Sequence, residues 1–153
     1  MMKKRAKELL ADGTVTKVLG WKRGEFAYDI TPAVFETAEE IERDFVYDDF
    51  TAANVSKYLM KETAKVEGKV LAFLKPCDTY SFNQLLTEHR FDREKVYAVG
   101  IPCEGMADIA KIKAAAGEGI SAIETDGDTL TVTTLYADAP VTVAAGDVLL
   151  ERC

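Results

Sequence analysis

Residues 70–105 contain the stretch VLAFLKPCD at positions 70–78 and the stretch VYAVGIPCEG at positions 96–105. In each, a short apolar run typical of a buried strand leads into a Pro-Cys-acid triplet, and a helix-forming sequence follows. The order strand, helix, strand, helix favours a parallel βαβ unit. Because ligands bind at the carboxyl ends of the strands in open α/β sheets, the two triplets mark a candidate functional edge.

The flanking sequence predicts further helices and strands. Helices are expected over residues 3–11, after Thr37 (which forms a capping box with Glu40), over 51–65, from an N-cap at Asp78, and over 106–116. Alternating segments predict two β-hairpins, at 15–31, where Pro32 should end the second strand, and at 120–136. Residues 141–144 add a further candidate strand.

These elements predict one α/β domain over residues 1–153. Its expected architecture is a three-layer or two-layer sandwich, with the parallel βαβ unit at its centre and antiparallel hairpins at its edges.

The overall composition narrows the function classes. The chain has 153 residues, of which 48% are hydrophobic, and a formal net charge of −7. An acidic chain is a poor partner for nucleic acid or for an anionic membrane surface. The apolar runs are far shorter than the roughly 20 residues that span a bilayer, and no apolar signal core follows the basic N-terminus. We therefore expect a cytoplasmic protein without membrane insertion.

The cysteines allow several interpretations. The chain has three, Cys77, Cys103 and Cys153, without a CxxC pair. The helix dipole favours a thiolate at Cys77 and Cys103, while the adjacent acids Asp78 and Glu104 disfavour it. Both thiols could instead pack as buried apolar groups. The three cysteines do not complete a zinc or iron–sulfur site, which normally needs four ligands.

Other residues near the two triplets allow further functional interpretations. Gly105, near a helix start, could let backbone amides face a phosphate, and Tyr80 could line the same edge as Cys77. A thiol enzyme would need a base near a cysteine, and His89 is the one histidine of the chain. A redox site predicts that Cys77 and Cys103 lie together in a cleft, whereas a docking domain predicts an exposed apolar patch or sheet edge.

The segments KVLAFLKPCDTYSFNQLL (69–86) and EKVYAVGIPCEGM (94–106) resemble the coenzyme F420 hydrogenase/dehydrogenase beta-subunit superfamily, especially its formate dehydrogenase beta-subunit-like members. These are electron-transfer proteins of anaerobes. Lys75, Cys77, Asp78, Cys103, Glu104 and Gly105 match the motif of this superfamily. Its members often continue with Ser-Arg where this chain has Thr79-Tyr80, so this chain lacks the arginine that would hold an anionic group there.

The resemblance implies an electron-transfer module of an anaerobic oxidoreductase that is inactive as an enzyme on its own. Its expected partners are other subunits of a redox complex, or further copies of itself in a homo-oligomer. Its alternative is a non-catalytic domain that docks such subunits. The implied cofactors are FAD at the strand edge, or a 4Fe-4S cluster in a longer protein. The cluster region would begin near Cys153, so that the domain is truncated before it and Cys153 is the candidate metal ligand.

Overall fold

The computed structural model describes residues 1–153, which separate into two compact units. The first unit comprises Met1–Lys22, Thr31–Val46 and Ala53–Cys103. The second unit comprises Arg23–Ile30, Tyr47–Ala52 and Glu104–Cys153. None of the helices combines the length and apolar character required to cross a bilayer.

The first unit is built on a four-stranded sheet. Its strands are β1 (Lys17–Arg23), β2 (Ile30–Phe35), β3 (Val70–Leu74) and β4 (Val96–Gly100), in the order β2-β1-β3-β4. The β1–β3 and β3–β4 pairs are parallel. All five residues of β3 are buried, as expected for a central strand of a parallel sheet.

The helices of the first unit are α1 (Met2–Ala11), α2 (Ala38–Asp44), α3 (Leu59–Ala64) and α4 (Pro76–Thr87). Short 3-10 turns occupy Ser56–Tyr58 and Arg93–Lys95. The capping box is present in α2, because Thr37 Oγ1 accepts from the Glu40 N–H and Glu40 Oε2 accepts from the Thr37 N–H. The core includes the fully buried side chains of Leu9, Leu19, Trp21, Ile41, Leu71 and Phe73.

The second unit contains a separate antiparallel sheet. Its strands β5 (Ile120–Asp126), β6 (Thr129–Thr134) and β7 (Val141–Ala144) follow α5 (Ile109–Ala116), and a 3-10 turn covers Ala145–Val148. Gly127, at φ 57°, forms the turn between β5 and β6. The small core is formed by Ala107, Ile112, Ile120, Leu130, Val132 and Val148.

The predicted α/β class, with parallel strands in one sheet and a separate antiparallel sheet, is confirmed. Several boundaries were wrong. The expected helix over 51–65 is a 3-10 turn followed by α3, because the Asn54 side chain accepts from the Ser56 N–H and holds a turn there. Pro32 does not end β2 but lies within it, which is tolerated since β2 is an edge strand.

Two further helix starts differ from the prediction. The helix expected from Met106 begins at Ile109, where Asp108 caps it by accepting from the Ala110 N–H. The helix expected to follow an Asp78 N-cap begins earlier, at Pro76. Proline suits the first helical position, because its missing N–H would have no partner there and its φ is already helical.

Candidate functional site

The two Pro-Cys-acid loops leave the sheet side by side. Leu74 and Gly100, the last residues of β3 and β4, are direct register partners. The Ile101 N–H donates to the Leu74 carbonyl at 2.9 Å, so the pairing continues one residue beyond β4. Cys77 and Cys103 each follow their strand end by three residues. The first unit therefore carries both cysteines at the carboxyl edge of one parallel strand pair.

Lys75 lies beneath this edge and does not reach solvent. Its side chain is 1% exposed, and its Nζ lies 3.1 Å from Asp78 Oδ2 and 3.1 Å from the Ala53 carbonyl oxygen. The ammonium also lies 4.6 Å from the ring centroid of Trp21, a favourable cation–π geometry. The charge of Lys75 is thus satisfied within the protein, so this lysine is not available to hold a phosphate.

Asp78 completes this buried pair from the first turn of α4. It is also 1% exposed, and its Oδ2 accepts from the Lys75 N–H at 3.1 Å. Asp78 therefore lies within α4, and its carboxylate accepts a hydrogen bond from Lys75, the residue that precedes the helix. Its own carbonyl accepts from the hydroxyls of Ser56 at 3.1 Å and Ser81 at 3.2 Å. These contacts fix the loop that carries Cys77.

Cys77 presents a thiol at the start of α4. The residue is exposed, and its Sγ lies 4.0 Å from Asp78 Oδ1. Partial burial of the sulfur, then the negative charge of Asp78, raises the pKa of the Cys77 thiol, and Lys75 opposes this shift without cancelling it. Cys103 makes a smaller contribution that also raises the pKa of Cys77. Cys77 is therefore a protonated thiol at neutral pH.

Tyr80 adds an exposed aromatic ring to the same helix. It is 81% exposed and follows Cys77 by three residues, so both side chains lie on one face of α4. Cys103 is half-buried. The exposed chemistry of this edge is thus a thiol and a phenol ring supported by a buried ion pair.

Glu104 and Gly105 belong to the second unit, where the packing explains the glycine. Gly105 adopts φ 132°, and a Cβ at this position would lie 2.9 Å from Leu149 Cδ2. The chain next to it is tied to the C-terminal segment, because the Leu150 N–H donates to the Met106 carbonyl at 2.8 Å. The positive φ and the contact with Leu149 therefore explain why position 105 is a glycine, without a bound phosphate.

Cys153 lies in the second unit and is exposed, with its N–H donating to the Leu150 carbonyl at 2.9 Å. No group of three or more His, Cys, Asp or Glu side chains is placed to hold a metal ion. A cluster that uses Cys153 would need ligands besides those gathered in this structure.

His89, the other sequence candidate, has a structural explanation. It is exposed, at φ 54°, beyond the C-terminal end of the twelve-residue helix α4. The helix rises about 15 Å from Cys77 to its last residue, Thr87, so His89 cannot serve as the base for the Cys77 thiol.

Sequence reasoning missed the residues that support the edge from distant parts of the chain. Trp21 donates its Nε1–H to the Ala53 carbonyl at 2.9 Å, and that same carbonyl accepts from Lys75. Asn54 donates to the hydroxyl of Ser81. A tryptophan in a strand is ordinary core, and Ala53 acts through its backbone, so no local pattern identifies either one.

The comparisons with known proteins agree with the sequence motif. Over 99 residues the chain is 29% identical to the F420-dependent formate dehydrogenase subunit beta of Methanocaldococcus jannaschii. The resemblance to the coenzyme F420 hydrogenase/dehydrogenase beta-subunit superfamily is confirmed. The aligned part covers 65% of this chain and 26% of that relative. No family model matches the chain.

The fold of this chain also matches a solved structure. A chain of the F420-reducing NiFe hydrogenase complex from Methanosarcina barkeri superposes with a TM-score of 0.71 at 15% identity. The match covers 100% of this chain and 57% of that chain. The similarity at this identity concerns the fold, and the chain spans little more than half of the solved relative.

Proposed function

We propose that this chain is an electron-transfer module of a redox complex, similar to the beta subunit of an F420-dependent formate dehydrogenase or hydrogenase. A redox cofactor would bind at the carboxyl edge of β3 and β4. The observation that carries the proposal is the exposed pair of Cys77 and Tyr80 at this edge, in the first turns of α4, where the buried Lys75–Asp78 pair holds the start of the helix. The sequence match to a formate dehydrogenase beta subunit supports the same reading.

The residues of this edge suit the flat ring system of a flavin better than its phosphates. The ring of Tyr80 offers an aromatic face for stacking. Cys77 and Cys103 would flank that ring system, while Lys75 and Asp78 would hold the loop without touching it. The candidate cofactor-binding residues also include Glu104 and Gly105, which follow Cys103 in the chain. The bound cofactor would supply the electron transfer, which no side chain of this edge provides.

Iron–sulfur ligation is a separate part of the proposal. A 4Fe-4S cluster normally takes four thiolates. Cys153 would supply one of them, and no further ligands are gathered around it in this structure.

The second candidate function is the docking of a partner subunit without cofactor binding. The observation that favours it is an exposed apolar pair in the second unit, Leu135 at 72% and Tyr136 at 83% exposed. Adjacent exposed apolar side chains are typical of contact surfaces. Other subunits of a redox complex, or a second copy of this chain, would cover them.

Titration with FAD and, separately, with coenzyme F420 distinguishes the two functions. We expect one of the two to bind the wild-type chain, measured by quenching of its fluorescence. Tyr80→Ala should weaken that binding about tenfold, which corresponds to about 1.4 kcal/mol of stacking. The matched control is Tyr136→Ala, which removes an equally exposed tyrosine from the other unit and should leave the affinity unchanged.

The opposite results would reject the cofactor site. If neither compound binds, or if Tyr80→Ala binds as tightly as the wild type, the edge is not the binding surface. A loss of binding in Tyr136→Ala alone would move the site to the second unit.

A further inference from the structure

The edge that ends β3 and β4 holds two thiols at equivalent positions. The register pairs Leu74 with Gly100, and each cysteine follows its strand end by three residues. Neighbouring parallel strands lie about 4.8 Å apart, so the two segments leave the sheet within the Cα separation of about 4.4–6.8 Å that disulfides span. The backbone pairing also continues beyond β4, through Ile101, toward Cys103. Cys77 lies in the first turn of α4 and Cys103 in the segment after β4, so the sheet brings both thiols to the same edge.

The side chains are consistent with this placement. Both cysteines are reduced, with Cys77 exposed and Cys103 half-buried. Cys103 contributes to raising the pKa of the Cys77 thiol, as expected for two thiols at the same edge of the sheet. Cys77 is accessible to a small reagent, and Cys103 is shielded enough to favour attack from within the protein.

We propose that Cys77 and Cys103 form a reversible dithiol–disulfide pair, oxidised by thiol–disulfide exchange with small-molecule disulfides. A thiolate of one cysteine attacks the reagent RSSR, forms a mixed disulfide and releases one RSH after protonation. The second thiol then loses its proton and attacks the mixed disulfide, which forms the Cys77–Cys103 bond and releases the second RSH. Two thiols are oxidised, and one RSSR is reduced to two RSH.

The reaction does not depend on the proposed function, because exchange between thiols and a disulfide needs neither a flavin nor a cluster. Its consequence would fall on the same surface. A bridge between the loops would remove the exposed thiol of Cys77 beside Tyr80 and tie the start of α4 to the segment after β4. Oxidation would thus alter the edge without changing the core beneath it.

The test uses oxidised glutathione as the disulfide. The native wild-type chain is equilibrated anaerobically with oxidised and reduced glutathione at a series of ratios, quenched with acid, blocked with N-ethylmaleimide and digested for mass spectrometry. We expect a peptide pair linked through Cys77 and Cys103, lighter by two hydrogens than the separate peptides. A urea-unfolded sample measures the same bond without the fold, and the native chain should form it at ratios about tenfold less oxidising.

Serine variants identify the bond. Cys153→Ser should form the linked pair as the wild type does, because the third thiol takes no part. Cys77→Ser and Cys103→Ser should each show glutathione on the remaining cysteine of the pair and no link. The proposal is overturned if the native chain carries glutathione on Cys77 without a link to Cys103. It is equally overturned if links to Cys153 predominate, or if folding gives no advantage over the unfolded chain.

Discussion

Replacing Lys75 with methionine removes the ammonium that faces the buried carboxylate of Asp78. Methionine matches the length of the lysine side chain, so the substitution changes the charge more than the packing. The Nζ–Oδ2 separation is 3.1 Å, and both side chains are 1% exposed. The carboxylate left behind would keep its hydrogen bond from the residue 75 N–H but would lose its counter-charge.

The expected cost follows from this geometry. Breaking a buried ion pair by removing one partner costs about 3–5 kcal/mol, and the surviving backbone hydrogen bond places this site near the lower end, about 3 kcal/mol. A domain of ordinary stability, about 5–15 kcal/mol, would still fold. The second variant Lys75→Met with Asp78→Asn should recover part of the loss, because no unpaired charge remains. A coupling energy of at least about 1 kcal/mol is expected between the two substitutions.

Urea unfolding followed by far-UV circular dichroism measures these differences, with an unchanged dependence on urea showing that the unfolded states are comparable. Lys61→Met is the matched control, since Lys61 is an exposed lysine of α3, and its substitution should change stability by less than about 0.5 kcal/mol. If Lys75→Met lowers the free energy of unfolding as little as Lys61→Met does, Lys75 is not buried against Asp78. The proposed support of the segment that carries Cys77 is then wrong.

Two further predictions concern the thiol and a helix cap. Alkylation of Cys77 by iodoacetamide at pH 7 should be slower than that of a cysteine in an unstructured peptide, because partial burial and Asp78 raise the pKa of Cys77 and lower its thiolate fraction. Asp78→Asn should speed this reaction and Lys75→Met should slow it, as followed by mass spectrometry; equal acceleration in both would indicate mere loosening of the loop. Thr37→Ala should lower the free energy of unfolding by about 1 kcal/mol in urea, since it removes the acceptor for the Glu40 N–H, and an unchanged midpoint would argue against the capping box.

The sequence predicted the strand–helix junctions because their signals are local. The apolar run at 70–74 has the length and composition of a buried strand, and Pro76 ends the strand pairing, although the helix begins at Pro76 and not after Asp78. The same logic located β4 and the hairpin of β5 and β6, in which Gly127 forms the turn. These features depend on neighbours within a few residues, so one sequence is enough to identify them.

The failed predictions involve competition between local and distant contacts. Within 51–65, Val55, Tyr58 and Leu59 recur at helical spacing. The Asn54 side chain nevertheless holds a turn, and its amide reaches Ser81 in α4. Periodicity alone does not weigh a side-chain bond of that kind against a helical one.

The buried Lys75 shows the same limit at the candidate site. A lysine after an apolar strand suggests an exposed charge, and Asp78 three residues later suggests a helix cap. Their burial depends on the Ala53 carbonyl and on the ring of Trp21, which come from segments more than twenty residues away. The sequence therefore identified the residues of the edge. It did not show which of them are buried and support the edge and which are exposed to solvent.

The central claim is that a redox cofactor binds at the carboxyl edge of β3 and β4, and a chemical-shift map of the backbone amides tests it most directly. On addition of FAD or coenzyme F420 to the isotope-labelled chain, we expect the largest shifts at residues 77–81 and 101–104. Shifts concentrated instead around the cavity at the other end of α4, lined by Leu86, His89 and Phe91, or spread evenly over both units, would contradict the account.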